Sequence, residues 1–209
     1  MTIAVIDYQA GNAPSVGYAL ARLGIDHRLI TTPEELDGAD RIILPGVGAA
    51  AATMESLRSA NLIPALEDRV LNAGTPFLGI CIGLQVLFEN SEEGAPTDGP
   101  NIPCLGWIPG TITRFPSTVR VPQIGWNLLS FARPHPLTIG LPADNTYTYF
   151  VNSYYAQPTN AEDLLATADY AGPFTAMVAR NNIAATQFHA EKSGELGLTI
   201  LKNFAGWTP

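Results

Sequence analysis

The sequence predicts an α/β fold: a central mixed sheet, mostly parallel, with helices on both faces and an antiparallel part from the C-terminal half. Three observations predict it. Short apolar runs alternate with helical patterns through the first half, as in parallel strands joined by crossover helices. The second half is instead a succession of strand-like segments separated by turn residues such as Asn181-Asn182. The length of 209 residues, 46% of them hydrophobic, suits one domain with a full core, residues 1–209.

Ile3 to Ile6 reads as a buried strand ending at Asp7. Val16, Leu20 and Leu23 then fall at helical spacing, and Gly24 stops the helix. His27 to Ile30 and Arg41 to Leu44 are the next strands, the latter ended by Pro45-Gly46. Met54 with Leu57, and Leu66 with Val70, fit two helices, with Pro64 at a helix start. Pro76 to Ile80 is a fourth strand, followed by a helix over Leu84 to Phe88. Ser91 to Pro103, rich in Pro, Gly, Glu and Asp, reads as a loop. Strands are expected at Ile108 to Phe115, Thr146 to Ala156, Leu164 to Ala168, Phe174 to Ala179 and Ile183 to Phe188, with a last helix over Leu196 to Phe204.

The net charge of -8, from 11 basic and 19 acidic residues, argues against a nucleic-acid-binding face, since nothing would neutralise phosphates. Charged residues are only 14% of the chain, in keeping with part of the surface being covered by a partner. No basic segment precedes an apolar run at the start, and no stretch approaches the ~20 apolar residues that span a membrane. A cytoplasmic enzyme is the expectation. Two cysteines are too few for a disulfide framework, and no Cys/His cluster has zinc spacing.

The sharpest local signal is Gly79-Ile80-Cys81-Ile82-Gly83, between a strand and a helix. It has the Gly-x-nucleophile-x-Gly form, in which glycines permit a strained turn that lifts the nucleophile out of the sheet. A helix starting there would aim its positive end at the sulfur and favour the anion. The N–H of Ile82, free at that helix start, can donate to an oxyanion. The competing reading of Cys81 is a small buried hydrophobe. A thiolate also needs a base. Of His27, His135 and His189, only the last follows a strand and has a carboxylate, Glu191, two residues on. On spacing alone, a solvated His–Glu pair at a strand end fits equally. Gly46-Val47-Gly48 suits a second oxyanion donor or an ordinary turn; it lacks the third glycine of a dinucleotide fingerprint.

Together these segments resemble class I, triad-type glutamine amidotransferases. Pro76-Phe77-Leu78-Gly79-Ile80-Cys81-Ile82-Gly83-Leu84-Gln85 is similar to their nucleophile segment, and Thr186-Gln187-Phe188-His189-Ala190-Glu191-Lys192-Ser193 to their histidine segment. More narrowly, the chain resembles the glutaminase subunits of imidazole glycerol phosphate synthases. That resemblance rests on Asp7-Tyr8-x-x-Gly11-Asn12, Pro45-Gly46-Val47-Gly48, Gly125-Trp126-Asn127 and Tyr149-Phe150-Val151-x-Ser153-Tyr154-Tyr155, and it runs from about Ile3 to Phe204.

The resemblance implies the three-layer fold of that class and a reaction. Cys81 attacks the glutamine amide, His189 protonates the departing ammonia, a thioester hydrolyses, and Glu191 holds His189. Gly46, Val47, Gly48 and Ile82 form the oxyanion hole, and Gln85, Glu93, Ser153 and Tyr154 hold the substrate. Asn12, Trp126 and Lys192 meet a (β/α)-barrel cyclase subunit in a heterodimer, which takes the ammonia to form the imidazole ring of histidine biosynthesis. Neither cofactor nor metal is implied.

The chain departs from the family pattern in places. Ala190 stands where proline is usual, Gln123 and Asn152 where histidine is usual, and Ala185 where glycine is usual; the Gln9-Ala10 loop lacks the usual small or glycine-rich form. These departures leave open a paralogue serving another synthase and a catalytically silent binding subunit. A partner-free Cys-hydrolase is also open on the residues, although Trp126, Tyr154 and Tyr155 in one region suit an interface better.

Overall fold

The computed structural model of the chain describes residues 1–8 and 12–209; the Gln9-Ala10 loop and Gly11 lie outside the described residues. The elements are β1 (Ile3–Ile6), α1 (Ala13–Arg22), β2 (His27–Ile30), β3 (Arg41–Leu44), α2 (Ala50–Ser59), α3 (Leu62–Glu67), β4 (Phe77–Ile80), α4 (Ile82–Gln85), β5 (Phe88–Ser91), β6 (Ile102–Pro103), β7 (Ile108–Arg114), β8 (Gln123–Leu128), β9 (Ser130–Phe131), β10 (Tyr147–Asn152), β11 (Tyr154–Pro158), β12 (Leu164–Asp169), β13 (Pro173–Arg180), β14 (Ile183–Thr186) and α5 (Gly194–Gly206).

The main sheet runs β2-β1-β3-β4-β14-β13-β11-β7-β5-β6, with β12 and β9 continuing from β13. From β2 to β14 the neighbours are parallel; beyond β14 the pairs are antiparallel except β5 with β7. β1, β3, β4 and β14 read as largely apolar runs because both of their faces are covered, whereas the edge strand β2 is only partly buried. Ile3 and Val5 pack with Val16 and Leu20 of α1 and Leu198 and Leu201 of α5. Ala4 and Ile6 point the other way, towards Leu57 of α2 and Leu66 of α3. Among the described residues no helix is long and apolar enough to cross a membrane.

Three local expectations are corrected. Thr146 to Ala156 is not one strand. β10 pairs with β8 in a separate two-stranded sheet, from Tyr147 opposite Leu128 to Asn152 opposite Gln123, while β11 joins the main sheet between β7 and β13. A strand serving two sheets has to break, and it does so at Ser153. The helix expected over Leu84 to Phe88 is the single turn Ile82–Gln85, because Phe88 is already paired with Ile108 as β5 begins. Pro64 is the third residue of α3, not its first, a position in the first turn that still needs no amide hydrogen.

The parallel arrangement brings the carboxyl ends of β3, β4 and β14 to one edge of the sheet, where ligands bind in open α/β folds. The turn after β4 fits only because its glycines have no side chains. A Cβ on Gly83 would sit 1.9 Å from the Leu44 carbonyl oxygen, and one on Gly79 would sit 2.4 Å from the Gly83 carbonyl oxygen. Both obstacles are backbone atoms of packed elements, which cannot swing away. Gly83→Ala is therefore expected to lower stability by about 2–3 kcal/mol or to prevent folding. Gly206→Ala, where a Cβ meets open space, should stay within about 1 kcal/mol of wild type. Urea denaturation midpoints of the two variants test the contrast.

Candidate active site

Cys81 carries the strain of the turn itself. Its backbone sits at φ 57 and ψ -107, outside the regions comfortable for a side-chain-bearing residue, at a cost of about 1–3 kcal/mol. Its N–H donates to the Thr186 carbonyl at 2.7 Å, and its carbonyl accepts from the Leu84 N–H at 2.9 Å. Neither Gly79 nor Gly83 is in the left-handed region, so the flanking glycines supply room, whereas the expected role was turn flexibility. The expected helix dipole is also corrected. α4 has 4 residues, too few peptide units to build a full macrodipole at the sulfur. What survives is the local part: the Ile82 N–H opens a helical turn and has no intrahelical acceptor.

His189 follows β14 as Cys81 follows β4, and the two strands are adjacent, with Thr186 opposite Ile80. The His189 main chain is fixed by its N–H to the Tyr149 carbonyl at 3.0 Å and by the Ser193 hydroxyl, which donates to its carbonyl at 2.7 Å. Its Nδ1 lies 2.8 Å from Glu191 Oε1, both side chains fully buried. The same oxygen accepts from Asn12 Nδ2 at 2.9 Å, while Asn12 Nδ2 is 3.4 Å from His189 Nδ1. The carboxylate, which can only accept, fixes the tautomer, while the Asn12 NH2 is spent on Glu191 Oε1. Nδ1 must bear the hydrogen that Glu191 accepts, and Nε2 is left for chemistry. Among the described residues Nε2 has no hydrogen-bond partner, and Cys81 is near enough to favour a proton on the ring.

Burial alone would lower the His189 pKa, yet Cys81 and Glu191 outweigh it and raise it to about 9. Burial pushes the Glu191 carboxyl up, and its bonds from His189 and Asn12 bring it below the ordinary carboxylate value.

A cleft of about 300 Å³ opens at this edge, lined by Val47, Gly48, Cys81, Ile82, Gln85, Glu93, Asn152, Ser153, Tyr154 and His189, among others. Nearly every residue expected of a nucleophile, oxyanion hole or substrate pocket therefore meets in one place. Gly46 lies beneath the cleft, wedged so that a Cβ would fall 1.8 Å from the Tyr8 hydroxyl and 2.4 Å from Ile82 Cγ2. Gly48 is at φ +104 with open space around it. Gln85 Nε2 donates to the Tyr154 carbonyl at 3.2 Å. Glu93 Oε2 accepts from the Ala50 N–H at 2.9 Å, closing the first turn of α2, and burial raises its pKa.

The expected interface residues are placed differently. Trp126 is half exposed on β8 with its ring 5.9 Å from that of Tyr149, and Lys192 is exposed beside the histidine segment. Asn12 is buried, its side chain turned inward to Glu191 rather than out towards a partner, because a buried carboxylate oxygen needs donors. Two further residues at the site were not singled out from the sequence. Gln187 bonds both Gln85 and the Cys81 sulfur, and the buried Tyr8 hydroxyl underlies Gly46. The signal for Gln187 was present: a polar residue inside the apolar run Ile183 to Phe188.

Residues 4–206 match the family model for glutamine amidotransferase class-I. The chain belongs to the class-I glutamine amidotransferases. This amidotransferase is 45% identical to "Imidazole glycerol phosphate synthase subunit HisH" of Dehalococcoides mccartyi, over 97% of this chain and 95% of that protein. It is also 45% identical to the HisH subunit of Chloroflexus aurantiacus, over 99% of this chain and 96% of that protein. Among solved structures, one described as a crystal structure of glutamine amidotransferase superposes with a TM-score of 0.74 at 22% identity, covering 98% of this chain and 99% of that one. PurLQS from Thermotoga maritima superposes with a TM-score of 0.74 at 15% identity, covering 98% and 97% of the two chains. At these identities the superpositions speak for the fold. Of the amidotransferase's departures from its family, Asn152 lines the cleft, Gln123 stands opposite it in β8, and Ala185 stands opposite Gly79.

The electrostatics lead to two expected outcomes. With a folded pKa of about 9 against an ordinary 6.5, His189 keeps a proton that the unfolded chain has released between these values. Its stabilisation is complete below pH 6.5 and lost as pH rises through about 9. Thermal melts from pH 6 to about pH 9.5 should show this loss in wild type and a flatter profile in His189→Asn. Cys104 is partly buried and its pKa is pushed up to about 11 by burial. A glutamine-mimicking diazo-ketone should therefore label Cys81 and spare Cys104; mass spectrometry of tryptic peptides reads the result.

Proposed function

We propose that this chain hydrolyses glutamine to glutamate and ammonia through a thioester on Cys81, and passes the ammonia to a (β/α)-barrel cyclase subunit. In this reading the two form a cytoplasmic heterodimer that makes imidazole glycerol phosphate in histidine biosynthesis, and residues 1–209 are one glutamine amidotransferase type 1 domain. The observation that carries the reading is the register of β4 with β14, which sets a strained cysteine beside a histidine already bonded to a buried carboxylate. The HisH relatives support the pathway and, through their name as subunits of a synthase, a partner.

The steps use groups at the cleft. The Cys81 sulfur attacks the carboxamide carbon, and the oxygen takes up negative charge facing the Val47 and Ile82 N–H groups. The proton raised onto His189 by its two partners goes to the departing nitrogen, which leaves as ammonia. Neutral His189 then takes a proton from water as water attacks the thioester, releasing glutamate and restoring the sulfur. Glu191, fixed by Asn12, keeps Nδ1 protonated throughout. Gln85, Glu93, Ser153 and Tyr154 hold the amino-acid end of glutamine; Glu93 has one oxygen engaged with Ala50 and the other for an ammonium group.

The partner face is the outer side of the β8–β10 sheet. Ile124, Trp126 and Tyr147 are 62%, 53% and 46% exposed there, an unusual concentration for a surface, and Val151 of the same sheet lines the cleft. Ammonia leaving the cleft would thus emerge at the docking face. Lys192 and, through Glu191, Asn12 link that face to the triad.

His189→Asn should abolish turnover more completely than Glu191→Gln, because His189 moves the proton and Glu191 orients it; the latter can still cost ~10⁴-fold. Turnover of His189→Asn equal to wild type would refute the assignment. The Gly46-Val47-Gly48 loop supplies one of the two oxyanion donors, and its glycines make peptide reorientation easy. The isolated chain is expected to run about 10²–10³-fold below the complex with its cyclase and acceptor substrate. Glutaminase assays of the chain alone, with partner, and with partner plus acceptor test this. Full activity alone would favour a partner-free hydrolase, and stimulation only by another pathway's synthase would favour a paralogue.

A further inference from the structure

Gln187 is fully buried at the end of β14, and its main chain is already engaged: its N–H donates to the Ala176 carbonyl at 2.8 Å. Its side chain does something else. Gln187 Oε1 accepts from Gln85 Nε2 at 3.0 Å, and Gln187 Nε2 lies 3.8 Å from Cys81 Sγ. One backbone atom fixes the orientation of both amides. The Tyr154 carbonyl can only accept, so the end of Gln85 that lies 3.2 Å from it is the NH2 group. That NH2 also meets Gln187, whose facing atom must then be the oxygen. The Gln187 NH2 is thereby left pointing at the sulfur, with no freedom to flip.

A neutral thiol is a weak acceptor, and a buried NH2 that meets only a weak acceptor is poorly compensated for its lost water. A sulfur carrying negative charge accepts far better, and the bond becomes charge-assisted. We propose that Gln187 is a catalytic residue: it donates a hydrogen bond to the anionic Cys81 sulfur and holds it in line for attack. Gln85 is the positioning residue that locks this donor. His189 stands two residues further along, so the segment leaving β14 carries both the proton carrier and the anion's hydrogen-bond donor. Gln85 also lines the cleft, so a ligand that draws on the Gln85 side chain acts on the orientation of Gln187 as well. Substrate contact and nucleophile aim are coupled through two amides. The proposal rests on the glutaminase reading only for the identity of the electrophile.

The test uses the full chain and two variants, Gln187→Leu, which removes the donor at similar volume, and Gln187→Glu, which keeps the shape but places an oxygen against the sulfur. Two readouts are taken with melting temperature as the control for folding: alkylation of Cys81 by iodoacetamide at pH 7, with free glutathione as the reference thiol, and glutaminase kcat and KM in the partner complex. The expected result is a loss of about tenfold to a hundredfold in kcat for Gln187→Leu, a greater loss for Gln187→Glu, and a KM changed by less than about threefold. Cys81 alkylation should slow in the same order. Should Gln187→Leu fail to fold, the isosteric Gln187→Glu alone decides. Wild-type alkylation and kcat in a folded variant would overturn the role of Gln187. A wild-type protein without glutaminase activity, whose Cys81 is nonetheless alkylated more slowly in both variants, would support Gln187 and overturn the glutaminase reading instead.

Discussion

β14 lies parallel to β4, in register from Ile183 opposite Phe77 to Thr186 opposite Ile80. The two strands are about a hundred residues apart in sequence, and neither has an intrinsic reason to seek the other. Both are fully buried apolar segments. Parallel strands pair at equal heights, so their carboxyl ends emerge together, and the residues leaving one strand become neighbours of the residues leaving the other. A slip of one residue would turn the His189 side chain to the opposite face of the sheet. The bond from the Cys81 N–H to the Thr186 carbonyl extends the ladder into the turn and holds the strained residue in place. The site is thus a consequence of sheet pairing, and the strain at Cys81 is offset by the packing of Gly79 and Gly83 against backbone.

The electrostatics of the site form one coupled unit. Glu191 is buried as a carboxylate because His189 and Asn12 both donate to the same oxygen, and His189 holds its proton because Glu191 and Cys81 flank it. Each group would be expensive in isolation, since a buried charge without partners is strongly disfavoured. The arrangement departs from a surface His–Glu pair in depth. Both side chains of the ion pair are fully buried, so solvent screens it little.

The second half of the chain serves two purposes with one strand-rich segment. β11 completes the main sheet, while β10 leaves it to build the β8–β10 ribbon, and the break at Ser153 lies on the cleft wall. That divergence places an apolar outer face next to the chemistry. It also makes Gln123 and Asn152 direct cross-strand neighbours, with buried side-chain atoms of both left without hydrogen-bond partners among the described residues. The structure offers no reason for this amide pair in place of the family's usual residues.

Much of this was written in the sequence. β1, β2 and β3 begin and end where expected; β1 and the apolar part of β3, Ile42 to Leu44, are buried on both faces and have no polar alternation to blur their limits. The elbow around Cys81 and the spacing of His189 to Glu191 were likewise legible, since both are local requirements of a tight turn and of side chains two residues apart. Other features were not local. The run from Thr146 to Ala156 carries one continuous β propensity, and only the competition of two sheets for it cuts it at Ser153. The turn after Cys81 has helical residues, but the pairing of Phe88 with Ile108 halts the helix after Gln85. Asn12 was expected at a partner interface, and its bond to Glu191 spans 179 positions of sequence. The sequence determined the chemistry-bearing residues and the strands that present them. Which of those residues touch was decided by tertiary structure alone, because hydrogen bonds between distant segments depend on the order and register of strands, and no residue encodes its neighbour in the sheet.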